Sequence, residues 1–169
     1  LTGNGDDSFD WSFGWTGKAQ YVYVQHNDTT AHRGFELDNN EDFPLATPLT
    51  NPIVSNITIV GSTASDEGSE GILLRNGTAG ALHNVLVTGP AGMGECLEVS
   101  GSEAQANAEA ANLVMTHSVI ACDNGENFKG NATSTQTTEE WFLAQAGNMA
   151  YTDSSALNLA VNGFEPQAG

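Results

Sequence analysis

Four carboxylates near the start of the chain have a spacing that could support chemistry. Asp6 and Asp7 directly precede the segment SFDW, Asp10 is its third residue, and Glu36 takes the matching place in the similar segment GFEL. If these segments are neighbouring strands, Asp10 and Glu36 stand side by side, at about 4.8 Å between backbones. Two carboxylates that close repel each other unless one is protonated or a cation lies between them.

Three outcomes are open for these residues. Asp10 and Glu36 can point into solvent and splay apart, or they can hold a calcium ion, which prefers oxygen ligands. Alternatively, Asp6, Asp7, Asp10 and Glu36 can supply the carboxyl pair of a glycosidase, which needs about 5 Å or somewhat more between the two groups. The first two outcomes, which agree with the expected function, involve no catalytic residue.

A second acidic run, DNNED, begins at Asp38 and ends at Asp42. It offers only oxygen ligands, although the glycine of an EF-hand loop is missing. The predicted metal ligands are therefore Asp10, Glu36, Asp38 and Asp42, with Ca²⁺ as the expected ion and no other cofactor. The run could equally be a solvated turn, because consecutive asparagines such as Asn39 and Asn40 suit left-handed backbone geometry.

Aromatic residues follow the first acidic cluster at every second position. Trp11 is expected in the core, whereas Phe13 and Trp15 lie beyond it. Phe13 and Trp15 are candidate ligand-binding residues, able to stack on a sugar ring or on another protein. The alternative is that they pack against a neighbouring coil.

An internal repeat indicates the elements that position these residues. One type of short run recurs as SFDW, GFEL, GILL, CLEV and NFKG, and it alternates with a second type: QYVYVQ, NITIVG, NVLVTG and SVIACD. Apolar residues at spacing two indicate strands with one inward face. Because runs this short bury little alone, each must stack on its counterpart in the next repeat. The prediction is an all-β fold, a right-handed parallel β-helix of about four to five coils.

The alignment of the runs predicts which side chains stack. The first type places in one internal stack Phe9, Phe35, Ile72, Leu97 and Phe128. The second type gives two stacks: Tyr21, Ile57, Val85 and Val119; and Tyr23, Ile59, Val87 and Ala121. The same alignment pairs Arg33 with Asp7 or Glu70.

Residues 1–135 are expected to form the repeats, and residues 136–169 a C-terminal helix and extended segment that packs on or caps them. Two short helices are predicted, each opened by a possible capping box: Ser102 with Gln105, and Thr137 with Glu140. Alternating apolar residues, Leu157, Leu159 and Val161, could form one more strand. The chain is expected to be part of a longer polypeptide.

Composition excludes some partners. The chain has 21 Asp and Glu against 4 Lys and Arg, for a net charge of −17, which repels nucleic acid and polyuronates. The sequence contains no apolar run long enough for a transmembrane segment. Cys96 and Cys122 are expected to form a disulfide, as in exported proteins, although the alignment places both on outward-facing positions.

Several segments together resemble a known group of proteins. DDSFDWSFGWTGKAQYVYVQ, RGFELDNN, ATPLTNPIVSNITIVGS and GILLRNGTAGALHNVLVTG are similar to secreted or surface right-handed parallel β-helix repeat proteins, often lipoproteins, of marine and other Gram-negative bacteria. The likeness spans Gly5 to about Lys129. It implies a secreted or outer-membrane-associated location and no settled activity.

The expected function is that of a non-catalytic surface or extracellular module that binds glycans, divalent cations or other envelope proteins, or assembles structurally. The alternative is a glycoside hydrolase or polysaccharide lyase acting on an extracellular polysaccharide. Because the ends of a solenoid expose unpaired strand edges, Leu1–Trp11 is expected to be covered by an upstream segment, a second copy or another envelope protein.

Overall fold

The computed structural model describes residues 1–26, 31–63, 70–123 and 127–157. The strands are β1 (Phe9–Trp11), β2 (Lys18–Gln25), β3 (Phe35–Leu37), β4 (Ile53–Val60), β5 (Ile72–Leu74), β6 (Gly80–Gly89), β7 (Leu97–Val99), β8 (Leu113–Thr116), β9 (Val119–Cys122), β10 (Phe128–Gly130) and β11 (Met149–Ala150). The helices are α1 (Ser102–Glu109), α2 (Thr138–Ala144) and a 3₁₀ turn (Ser154–Leu157). Of the predicted C-terminal strand, Leu157 ends this turn, and Leu159 and Val161 lie outside the described residues.

Two parallel sheets account for these strands. The five-stranded sheet has the order β1-β3-β5-β7-β10, and the six-stranded sheet has the order β11-β9-β6-β4-β2, with β8 also paired to β6. Strands of the two sheets alternate along most of the chain, so each short strand pairs with its counterpart in the next repeat. This arrangement fits the predicted parallel β-helix.

The predicted register of the five-stranded sheet is confirmed. Phe9 pairs with Phe35, Phe35 with Ile72, Ile72 with Leu97, and Leu97 with Phe128. The three central side chains of this stack are fully buried. The inward face of each three-residue strand therefore consists of its first and third residues, as the spacing of apolar residues predicts.

The predicted register of the six-stranded sheet is wrong by one residue at its two ends. Ile57 pairs with Val22, not Tyr21, and Ile59 with Val24, not Tyr23. At the other end Val87 pairs with Ile120, so Ala121 and Val119 belong one position later than predicted. A left-handed residue stands at the same place in four repeats, Tyr21, Asn56, Asn84 and His117, with φ between 53° and 59°, and in β2 the apolar Tyr21 occupies this place. This residue interrupts the two-residue alternation, which the apolar pattern alone does not reveal.

A disulfide joins Cys96 and Cys122, with 6.0 Å between the Cα atoms. Both cysteines are fully buried, so their predicted outward orientation is wrong. Cys96 directly precedes β7 and Cys122 ends β9, where the chain turns between the two sheets. At such a turn the inward and outward sides no longer follow the alternation of the strand, and both sulfurs face the interior.

The two predicted helices are present, with different starts. Thr137 and Glu140 form the predicted capping box of α2, whose Trp141 and Phe142 are buried. The Phe142 ring lies 5.4 Å from that of Phe128 in β10. The capping box predicted for α1 is wrong, because the helix begins after Gly101 with no side-chain cap. The Ser102 hydroxyl instead donates to its neighbour Glu103.

Candidate functional site

The outward side of the five-stranded sheet carries most of the chain's cations and many of its carboxylates. Its central positions are in register across the sheet: Asp10, Glu36, Leu73, Glu98 and Lys129. Charged residues next to the strands complete a surface that we call the charged face: Arg33, Asp38, Glu70, Arg75 and Glu95. The predicted juxtaposition of Asp10 and Glu36 is confirmed at the level of the backbone.

Two arginines hold Glu36. Arg33 Nη1 donates to Glu36 Oε2 at 2.5 Å, and Arg75 Nη2 donates to Oε1 at 2.6 Å. Burial and the charge of Asp7 nevertheless raise the pKa of Glu36 to about 7, against the lowering effect of the arginines. Both carboxylate oxygens of Glu36 are thus engaged by arginines of its own fold, partners that the sequence pattern did not predict.

The structure decides which of the two predicted partners, Asp7 or Glu70, forms an ion pair with Arg33. Its Nε lies 3.0 Å from Glu70 Oε2, so the guanidinium bridges Glu70 and Glu36. Asp7 does not take the guanidinium and instead accepts a hydrogen bond from the backbone N–H of Arg33 at 2.8 Å. Asp6 contacts the imidazole ring of His32, whose Nδ1 lies 2.9 Å from Asp6 Oδ1.

The four predicted metal ligands do not share one environment. Asp38 accepts from Arg75 Nε at 3.0 Å, so Arg75 bridges Glu36 and Asp38. Asp42 lies on an exposed turn, where its backbone N–H donates to Asn40 Oδ1 at 3.0 Å. The predicted binding of calcium by Asp10, Glu36, Asp38 and Asp42 stays a prediction. The left-handed conformation expected for the consecutive residues Asn39 and Asn40 is absent from both. It occurs at other asparagines, Asn56, Asn76 and Asn84.

Two groups of potential ligands converge among the described residues. The carboxylates of Glu70, Glu95 and Glu98 lie within 4.8 Å of one another, as do Asp6, Asp7 and His32. In the first group Lys129 Nζ lies 3.0 Å from Glu98 and 3.7 Å from Glu95. An ammonium group from the chain itself thus provides positive charge beside these carboxylates.

A cleft opens at β1, the terminal strand of the five-stranded sheet. This aromatic cleft has a volume of about 310 Å³ and is lined by Phe9, Asp10, Trp11, Ser12 and Trp15. The half-buried Trp15 ring lies 5.7 Å from Trp11 and 6.0 Å from Phe9. Phe13, the other predicted ligand-binding residue, does not line the cleft and is 78% exposed.

A hydrogen bond to a buried side chain holds the indole of Trp11 in place. Its Nε1 donates to the buried hydroxyl of Thr78 at 3.0 Å, across a sequence separation of 67 residues. Trp11 is 3% exposed, so it forms the floor of the cleft, whereas Trp15 forms a more accessible wall. Packing and a hydrogen bond therefore hold the floor of the cleft in place.

Asp10 is the charged group of the aromatic cleft. Its side chain is exposed and, among the residues that the structure describes, makes no hydrogen bond or ion pair, whereas its backbone pairs with β3. Partial burial, followed by the charges of Asp38 and Asp7, raises its pKa, and Arg75 counteracts this only in part. The cleft therefore combines apolar rings with an unpaired carboxylate in a negative surrounding.

A second depression, of about 320 Å³, lies on the six-stranded sheet. It is lined by Asn56, Ile57, Thr58, Asn84, Val85, Leu86, His117, Val119 and Leu157. Its lining includes the left-handed residues of three successive repeats, Asn56, Asn84 and His117. This depression was not predicted from the sequence; the asparagine repeated at one position of two runs, Asn56 and Asn84, is the signal that could have indicated it.

Comparison with protein families gives one match that covers nearly the whole chain. Residues 1–161 match the model of a pectate-lyase-like beta helix domain. Comparison with curated proteins and with solved structures gave no match. In the described part of the chain, no helix has the length and apolar character needed to cross a membrane. The paired parallel sheets and the family match agree, and the chain belongs to the family of pectate-lyase-like β-helix domains.

Proposed function

We propose that this domain is a non-catalytic surface or extracellular module that binds a glycan in the aromatic cleft. The observation that carries the proposal is the combination of Phe9, Trp11 and Trp15 with the unpaired acceptor Asp10 around one cleft. Aromatic rings supply large apolar contact area to the C–H faces of a sugar, and a few fixed polar groups supply orientation.

The charges of the chain argue against a polysaccharide lyase. A lyase needs a basic group to remove a proton or to neutralise the acidic sugar. Arg33, Arg75 and Lys129 all make ion pairs with carboxylates of the charged face. The remaining cation, Lys18, begins β2 in the other sheet. Three of the four Lys and Arg side chains are thus engaged by carboxylates of the chain itself.

A glycoside hydrolase is the second candidate, and one observation favours it. Glu36 has a pKa of about 7, suitable for a general acid, and its strand neighbour is the exposed Asp10. However, both oxygens of Glu36 are engaged by Arg33 and Arg75, and its side chain is only 12% exposed. Because a general acid must reach the leaving oxygen, the binding function has the stronger support.

Resemblance supports the cellular setting of the proposal. We place the domain, with right-handed coils, at the surface of a Gram-negative bacterium or outside it, where polysaccharide is available. An envelope protein or a second copy could cover the outer edge of β1. Such a cover would occlude the aromatic cleft, so a glycan and this partner are alternatives at the same end of the sheet. Calcium bound through Asp10 would engage the carboxylate that lines the cleft, so calcium and a glycan would compete for Asp10.

Binding to immobilised neutral, amino and acidic glycans, with analysis of the soluble products, tests the function. Trp15→Ala should weaken binding at least about tenfold, corresponding to about 1.4 kcal/mol. Phe43→Ala is the matched control, since Phe43 is 70% exposed and does not line the cleft. Circular dichroism verifies that both variants fold. Release of shortened glycan, with loss of this release in Asp10→Asn, would instead establish the hydrolase.

A further inference from the structure

Asp10 is the one charged residue among the five that line the aromatic cleft, beside the neutral hydroxyl of Ser12. Asp10 provides a carboxylate, whereas the one indole N–H shown to be fixed there, that of Trp11, is already donated to Thr78. Arg75, whose charge acts on Asp10, directs its donors to Glu36 and Asp38. The cleft thus offers a negative acceptor without an available cation from the charged face.

The aromatic rings have the same electrostatic preference. Phe9 and Trp11 meet edge to face with centroids 6.1 Å apart, and Trp15 packs against both. The π faces of such rings attract a cation within about 6 Å, with Trp the strongest. A positively charged group beside Asp10 and Trp15 would therefore gain from the carboxylate and from the rings together.

We propose that the preferred ligand of the aromatic cleft is an amino sugar with a free ammonium group, in a glucosamine-type glycan. This inference rests on the proposed glycan-binding function and specifies its ligand class. The ammonium pairs with Asp10, and the apolar face of the same or the adjoining sugar ring stacks on Trp15. N-acetylation of the amine removes the charge and with it the preference.

Acidic glycans are excluded by the same surroundings. A carboxylate on the sugar would approach Asp10 and the charges of Asp7 and Asp38, which already raise the pKa of Asp10. The net charge of −17 adds a repulsion that reaches beyond the cleft. The resulting order of affinity is glucosamine oligosaccharide, then its N-acetylated counterpart, then oligogalacturonate.

Nonspecific attraction of a cationic sugar to an acidic protein requires a matched control. Glu139 is exposed in the first turn of α2, and Glu139→Gln removes the same unit of charge as Asp10→Asn without altering the lining of the cleft. Both variants and the wild-type protein are titrated calorimetrically with the three oligosaccharides and with a lysine oligomer. Salt is held at a moderate concentration, which screens interactions between distant charges.

The expected result is at least about tenfold tighter binding of the glucosamine oligosaccharide than of its N-acetylated form. Asp10→Asn should abolish this difference, and Glu139→Gln should keep it. Equal losses in both variants would overturn the inference as nonspecific attraction, and equally tight binding of the lysine oligomer would overturn the need for a sugar. Equal affinity for charged and acetylated sugars would refute the inference but leave glycan binding intact, whereas loss of all glycan binding would refute both.

Discussion

Asn84 donates its side-chain amide to Asn56 Oδ1 at 2.5 Å, and the two residues hold the same left-handed backbone conformation in adjacent strands. Tyr21 and His117 take this conformation in the repeats on either side. The left-handed residue sets the register of the six-stranded sheet, because it separates two inward-facing segments of each strand. Asparagine suits it, since its short polar side chain reduces the steric penalty of positive φ.

Replacement of Asn84 tests this structural role. Asn84→Val should lower the free energy of unfolding by about 1–2 kcal/mol or more, because a β-branched residue strains the left-handed conformation. Asn84→Gly should cost less, since glycine accepts φ of 53° and loses only an exposed side-chain bond. Urea denaturation measures both values. A valine variant as stable as the glycine variant would contradict the assigned conformation.

Removal of the disulfide should destabilise the fold without changing the cleft. Cys96 and Cys122 are separated by 26 residues, a loop for which chain entropy predicts about 3.5 kcal/mol. Cys96→Ala with Cys122→Ala should therefore lower the midpoint of thermal unfolding, as measured by calorimetry. Reduction of the wild-type disulfide removes the cross-link but keeps both cysteine side chains, so it controls for the packing that the alanine variant loses. Equal stability of the reduced and oxidised protein would contradict the prediction.

The raised pKa of Glu36 predicts a pH dependence of stability. Between its ordinary value of 4.5 and about 7, the folded protein keeps a proton that the unfolded chain has lost. The free energy of unfolding should therefore fall as the pH rises through this window. Because Glu36→Gln cannot titrate, the stability of the wild-type protein relative to this variant should fall in parallel.

Denaturant titrations at several pH values measure this difference. Glu139→Gln serves as the control for a change of one charge on the surface. If the wild-type protein instead gains stability relative to Glu36→Gln as the pH rises, the hydrogen bonds from Arg33 and Arg75 outweigh the burial of the carboxylate, and the raised pKa is wrong.

The calcium prediction has a direct thermal test. Calcium chloride should raise the midpoint of unfolding more than sodium chloride at equal ionic strength, since a bound ion stabilises the folded state and screening alone does not distinguish the salts. Asp42→Asn with Asp10→Asn should remove the extra stabilisation. Equal shifts in both salts would show that the carboxylates respond only to screening of the −17 charge.

The first type of run was predictable from sequence because both of its inward positions carry large apolar residues in nearly every repeat. Phe35, Ile72 and Leu97 are buried where the spacing places them. The second type was misaligned because Tyr21 and Val119 are apolar residues at positions that do not face inward. A backbone conformation, not a side-chain pattern, decides which residues of these strands are buried.

The candidate site was predictable in part. The sequence identified Asp10, Glu36 and Trp15, since acidic and aromatic residues cluster around aligned runs. It could not show that Arg33 and Arg75 bridge the carboxylates, because long flexible side chains reach partners that sequence spacing does not specify. Nor could it show that Trp15 turns back onto Trp11 and lines a cleft, which depends on the loop after β1.

Tryptophan fluorescence gives the most direct test of glycan binding in the aromatic cleft. Trp11 and Trp15 line the cleft, and Trp141 is buried in α2, so a Trp141→Phe variant reports from the cleft alone. Titration of this variant with a glucosamine oligosaccharide should produce a saturable change in emission, which Trp15→Ala in the same background removes. An emission spectrum that stays constant up to the highest sugar concentration, in a variant that circular dichroism shows to be folded, would contradict glycan binding in the aromatic cleft.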